Sequence, residues 1–134
     1  MTPTQIRAEV LDALVAHARE DAPIECCGLL IARGVLIDES VRTTNLRRSD
    51  VVYLIDPAAH FAEIRRARLE GRVIAGAYHS HPRSPALPSA TDLAEAQTGD
   101  FLYVIVSLAG GAPDVRGYRL ADGNFVEVPL VPVP

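Results

Sequence analysis

Two of the chain's four histidines, His79 and His81, stand one residue apart in the stretch YHSHPRSPALPSATD, residues 78 to 92. Side chains on an extended strand alternate between faces. These two imidazoles therefore point the same way, roughly 6.5 Å apart along the strand, while Ser80 points oppositely. Two imidazoles so placed can converge on one ion. Prolines 82, 85 and 88 end the strand and turn the chain, since none of them can donate to a ladder. Ser89-Ala90-Thr91-Asp92 reads as the start of a helix, where the amide dipoles keep a first-turn aspartate ionised. That carboxylate can swing back to the histidines as a third ligand. Two imidazoles and a carboxylate suit zinc, and three protein ligands leave one position open, as in catalytic rather than structural sites. A His-x-His pair, a helix-capping serine and a first-turn acid are each commonplace alone. Their joint spacing is not.

The strand and helix that carry these groups need a scaffold around them. Val73 to Ser80 reads as a central strand, and Ser89 as the cap of a helix reaching about Thr98. Upstream, Thr2-Pro3-Thr4-Gln5 has the form of an N-cap, a first-turn proline and a capping-box glutamine. Ile6, Val10, Ala13, Leu14 and Ala18 then recur at helical spacing, and this first helix ends before Pro23. His17 and His60 fall on amphipathic helices and are expected at the surface. Cys27 to Ala32 is an apolar run suited to a buried strand, joined through an Arg33-Gly34 turn to a second strand over Val35 to Thr44. A polar loop covers 45 to 50, and a short strand is expected from Val51 to Asp56. Pro57 opens a second helix that ends at Gly71. Phe101 to Leu108 is a strongly apolar strand, followed by shorter ones near Val115 to Arg119 and Phe125 to Val128. The segment from about 130 to 134 is expected to be a loose tail. Mixed helices and strands in this order predict a single layered α/β domain.

Composition narrows the function classes. A chain of 134 residues, 49% hydrophobic and 22% charged, folds as one globular unit rather than remaining disordered. Its net charge of −4 supplies no global field for nucleic acid. The arginines at 42, 47, 48, 65, 66 and 68 are read as solvated faces and helix ends. The N-terminus lacks the pattern of a signal peptide, and the apolar run Phe101 to Val106 is far shorter than the roughly 20 residues of a membrane span. Cys26 and Cys27 are adjacent, so a bridge between them would be strained, and one backbone step sends them to opposite faces of a strand. They are read as reduced packing residues of a cytoplasmic protein.

His79-Ser80-His81-Pro82, six residues, Ser89, two residues and Asp92 resemble the signature of the JAMM metalloproteases, the catalytically competent MPN-domain family. The family also places a glutamate upstream, near a glycine that enters an apolar strand. Pro23-Ile24-Glu25-Cys26-Cys27-Gly28-Leu29-Leu30 fits that pattern, and the stretch from Asn45 through Asp56-Pro57 is similar to small stand-alone bacterial members. The resemblance implies a mixed sheet packed between helices, in the layered manner of cytidine deaminases. It implies one zinc ion per chain, with His79, His81 and Asp92 as ligands. Glu25 resembles the general base, and Ser89 the hydroxyl that stabilises an oxyanion. Among the acids near an apolar strand or helix, Glu25 is chosen over Glu20 and Glu63 by this resemblance alone.

The implied activity is hydrolysis of an amide or isopeptide bond at the Gly-Gly C-terminus of a ubiquitin-like or sulfur-carrier protein. An extended tail of that kind can add beside a sheet edge, for which Asn45 to Val52 is a candidate. Both histidines bind metal only when neutral and the base must be unprotonated, so rates are expected to fall below about pH 6. Two other readings stand beside this one. A non-catalytic MPN scaffold would lack the ligands, which are all present. A RadC-like DNA-associated role sits poorly with the acidic balance. No nucleic-acid or membrane partner is expected, and the oligomeric state, a homodimer included, is left open.

Overall fold

The computed structural model describes residues 2–96 and 100–134. The elements run β1 (Thr4–Arg7), α1 (Ala8–Asp21), β2 (Cys27–Arg33), β3 (Leu36–Thr43), α2 (Pro57–Leu69) and β4 (Val73–His81). They continue with α3 (Ala90–Ala94), β5 (Leu102–Ser107), β6 (Asp114–Ala121), β7 (Asn124–Val128) and β8 (Leu130–Val133). The strands form one mixed sheet in the order β7-β6-β5-β4-β2-β3-β1-β8. At its centre, β4 pairs antiparallel with β2 and parallel with β5.

The central strands are those with unbroken apolar runs. Every residue of β5 is buried, as is every residue of β2 up to Ala32, as expected for strands covered on both faces. Val10, Leu14 and Ala18 of α1 pack with Ile6, Leu30, Tyr78 and Val104 on one face. On the other face, α2 contacts β4, and its Phe61 and Ile64 line a cavity with Leu29, Ala77 and Tyr103. The hairpin between β2 and β3 turns at Gly34, whose φ of +59° suits a residue without Cβ. Gly28 has a different reason: a Cβ there would lie 2.4 Å from the Tyr78 ring and from Val41 O.

Five expectations from the sequence are corrected. The first helix begins at Ala8, because Thr4–Arg7 forms β1 between β3 and β8. The cap-like Thr2–Gln5 pattern is overridden by pairing on both sides of β1 and by the complete burial of Ile6. The segment from 130 is not loose. It forms β8, parallel to β1, and Arg7 Nη1 donates to Pro134 O at 2.8 Å; Pro132 is tolerated because this strand lies at the sheet edge.

No strand forms over Val51–Asp56, where there is only an isolated Asn45–Ile55 bridge. Asn45 supplies what a partner strand would. Its Oδ1 accepts from Arg47 N and Leu54 N, and its Nδ2 donates to Val52 O. His17 is buried rather than exposed, for it lies three residues beyond Leu14 on the inward stripe of α1. Finally, α3 closes at Ala94 with Glu95 as its C-cap; residues 97 and 98, which the sequence expectation also took in, lie outside the described residues. Among the described residues, no helix is long and apolar enough to cross a membrane.

Candidate metal centre

The carboxyl end of β4 presents His79 and His81 on the α2 face. Ser80 points the other way, where its Oγ accepts from Cys26 N at 2.8 Å, as period-two alternation requires. The chain then turns through the prolines and enters α3 at Ser89. There a capping box forms: Asp92 N donates to Ser89 Oγ at 3.0 Å, and Ser89 N donates to Asp92 Oδ2 at 2.8 Å. This reciprocal cap aims Asp92 back at the histidines.

His79 Nε2, His81 Nε2 and Asp92 Oδ2 lie 3.2–3.3 Å from one another. Ligands about 2.0–2.1 Å from a tetrahedral zinc ion stand about 3.3 Å apart. The three donors therefore fit zinc in both spacing and chemistry. They also form the one group of three or more potential ligands among the described residues. His81 Nδ1 lies 2.8 Å from Pro85 O. A carbonyl can only accept, so Nδ1 carries the proton and Nε2 of the neutral ring keeps its lone pair.

The electrostatics favour the ligand forms of His79 and Asp92, while His81 is held toward its protonated form. Burial lowers the proton affinity of His79 and favours its neutral form. Burial also acts to lower His81, but the Asp92 carboxylate and Pro85 O outweigh it and raise the ring. Asp92 is driven up by burial and down by its hydrogen bonds with His79, His81 and Ser89 N. The latter win, holding it well below the usual carboxylate range.

Glu25 stands immediately before β2. Cys27 pairs with His79, so continuing that antiparallel register by two residues brings Glu25 level with His81 on the same face. Its backbone is tied on both sides: Glu25 N donates to Ser49 O at 2.8 Å, and Asn45 Nδ2 donates to Glu25 O at 3.0 Å. The side chain is only 2% exposed, and its Oε1 is the one buried side-chain polar atom without a partner among the described residues. Burial pushes this carboxyl up to about 7, opposed by His81 and reinforced by the negative charges of Asp92 and Asp50.

The structure thus groups His79, His81 and Asp92, caps Asp92 with Ser89, and sets Glu25 in register with His81 on the same face. It leaves Cys26 and Cys27 out: both are free and buried, and burial pushes their thiols up to about 12 and about 11. Two contributors went unread. Tyr53 stacks on the His79 ring, with centroids 4.3 Å apart and planes 17° from parallel. Asn45 anchors the Glu25 backbone. The Asn45 to Asp56-Pro57 stretch was part of the family resemblance, which was the one signal available for either.

Geometry of this kind marks a hydrolytic enzyme of the α/β class. Its lineage follows from comparison: the chain belongs to the JAB family, since the model described as prokaryotic homologs of the JAB domain matches residues 7–121. That family is known for zinc binding. The chain is similar to the CysO-cysteine peptidase of Mycobacterium tuberculosis, 35% identical over 128 residues, covering 93% of this chain and 88% of that protein. It is also similar to a probable TtuB-protein conjugate cleaving protease of Thermus thermophilus, 35% identical over 123 residues and covering 91% and 78%. A solution structure of a protein from Desulfitobacterium hafniense superposes with a TM-score of 0.88 at 29% identity, covering 97% of this chain and 92% of that one.

Proposed function

We propose that the chain holds one zinc ion through His79, His81 and Asp92 and hydrolyses an amide or isopeptide bond at the Gly-Gly C-terminus of a ubiquitin-like or sulfur-carrier protein. The single observation that carries the hydrolytic reading is the Glu25 carboxylate, buried beside the three donors with Oε1 unpartnered. A buried polar atom without a partner costs about 1–3 kcal/mol, so a folded chain that keeps one has a use for it. The substrate class rests on the kinship with proteins named for cleaving CysO and TtuB conjugates. The two reduced, buried thiols suit a cytoplasmic setting.

Zinc, when bound, supplies Lewis acidity toward a carbonyl and toward water. The chain's own groups do the rest. Glu25 accepts a proton from the attacking water at its free oxygen and returns it to the leaving amine. Burial raises this carboxyl above the usual carboxylate range, which suits it to both transfers. Ser89 Oγ already accepts from Asp92 N, so its hydroxyl proton is left to donate to the oxyanion of the tetrahedral intermediate. Tyr53 covers one face of His79 and keeps water from that side.

The test follows a carrier protein bearing a C-terminal cysteine, and a second bearing a lysine isopeptide, by intact mass. Cleavage after Gly-Gly that requires zinc, stops with chelator and is lost in Glu25→Gln is the expected result. Cleavage that survives chelation overturns the metal reading. A zinc-loaded enzyme inert toward both adducts overturns the substrate reading alone.

A further inference from the structure

Residues 82–88 hold three prolines and no regular element, so a backbone ladder cannot fix this loop. Yet it joins the two halves of the metal centre, with His81 at one end and Ser89 and Asp92 at the other. Three consecutive carbonyls in it are each held by a side chain from a different strand. Ser107 Oγ of β5 donates to Ser84 O at 2.6 Å, His81 Nδ1 of β4 to Pro85 O at 2.8 Å, and Tyr118 Oη of β6 to Ala86 O at 2.5 Å.

Strand register explains the convergence. His81 pairs with Ser107 in parallel register, and Tyr118 pairs with Tyr103, two pleats back on β5, so all three side chains leave the same face of the sheet. The direction of the Ser107 bond is unambiguous. Its Oγ also accepts from Ala109 N at 3.2 Å, so its one proton goes to Ser84 O. Ala86 is itself buried against Ile105 and Tyr118.

Resting on the metal-centre reading above, we propose that Ser107 and Tyr118 are positioning residues for zinc, acting through the loop carbonyls on either side of the one that orients His81. Fixing the Ser84 and Ala86 carbonyls leaves the intervening Pro85 peptide little freedom to rotate, especially since the proline ring locks its own φ. The Pro85 oxygen then stays aimed at His81 Nδ1, keeping the Nε2 lone pair directed at the metal. Neither side chain is among the three metal donors. Their effect passes through two peptide planes and one imidazole.

The test compares Ser107→Ala, Tyr118→Phe and Ser107→Thr with wild type in zinc affinity, measured by chelator competition, and in the visible spectrum of the cobalt(II)-loaded protein. Loss of a group that orients a metal-bound histidine weakens metal affinity by about 10- to 100-fold. We expect losses in this range for Ser107→Ala and Tyr118→Phe with an altered cobalt spectrum, and recovery in Ser107→Thr, which keeps the hydroxyl. Tyr78→Phe serves as control: it removes a buried hydroxyl bonded to His17 on the opposite face and should leave affinity and spectrum unchanged. Wild-type affinity in both variants, or an equal loss in Tyr78→Phe, overturns the proposal. If Tyr118→Phe does not fold, the Ser107→Ala and Ser107→Thr pair decides the question alone. Failure of the underlying reading looks different, since wild type itself would then take up no stoichiometric zinc.

Discussion

β4 carries a buried histidine system on each of its faces. On the α1 side, His17 Nδ1 lies 2.7 Å from Tyr78 Oη and its Nε2 lies 3.2 Å from Asp21. On the α2 side stand His79, His81 and Asp92, with Glu25 behind them. His17 and His79 are both buried, and burial lowers both. Neither burial nor a perturbed proton affinity separates a structural histidine from a functional one. What separates them is where the lone pairs go. Each nitrogen of His17 meets a different partner, and nothing is left over. The Nε2 atoms of His79 and His81 face each other and one carboxylate oxygen, a set that a single cation satisfies better than protons do, and beside it one carboxylate oxygen has no partner.

That contrast can be broken most forcefully by removing a ligand. His79→Ala or Asp92→Ala should take zinc from about one per chain to near none, because a catalytic ion is rarely held by two ligands, and hydrolysis should disappear with it. Metal analysis of the purified variant decides this, and full retention of zinc would refute the assignment of that residue. Next in size, Glu25→Gln should keep its zinc and lose on the order of 10²–10⁴ in rate, the usual worth of a general base.

The same residue sets the pH profile. Glu25 serves as base only when ionised; burial raises it and a bound cation draws it back down, so kcat/KM should fall on acidification below neutrality, the direction expected from the sequence. For folding the sign is the reverse. A carboxyl raised in the folded state contributes stability that is complete below its unfolded value and lost as pH rises through about 7. The melting temperature of metal-free wild type relative to Glu25→Gln should therefore be higher at pH 5.5 than at pH 8, a comparison in which the lowered His17 and His79 cancel. A pH-independent difference between the two chains would show that the carboxyl is not buried as described.

Smaller effects sharpen the comparison. Ser89→Ala should cost about 10²-fold in rate by loss of an oxyanion donor, and about 1 kcal/mol of stability by loss of the cap. Denaturant titration beside kinetics separates the two. The smallest functional effect belongs to the other face: Tyr78→Phe should cost about 1 kcal/mol and leave kcat/KM within about twofold, as befits a pair that only packs. A large rate loss there would mean the faces are coupled through β4.

Much of the site was legible because it is local. Period-two alternation puts His79 and His81 together, and the Ser89–Asp92 spacing is a capping box whatever the fold. Glu25 was legible only by resemblance, because its burial depends on Ser49 and Asn45, which approach it from another part of the chain. β1 and β8 were missed for a related reason. Each is only four residues long; β8 pairs with β1, and β1 is held between β8 and β3, partners far away in sequence. The helix-start signals at Thr2–Gln5 are real but weaker than two rows of backbone hydrogen bonds. The Val51–Asp56 segment has strand-like composition, but Asn45 bonds its backbone and leaves no partner strand to pair. His17 could have been placed inside, since its spacing from Val10 and Leu14 already lies on the apolar stripe.

The chain contains no tryptophan and four tyrosines, which gives the stacking of Tyr53 on His79 an optical consequence. Light near 280 nm is absorbed almost wholly by those four phenols, and one of them lies against an imidazole that changes its electronic state when a cation arrives. Uptake or loss of metal should therefore register directly in the ultraviolet emission of the unlabelled protein, and Tyr53→Phe should remove that signal. The wall of the pocket doubles as a built-in gauge of its own occupancy.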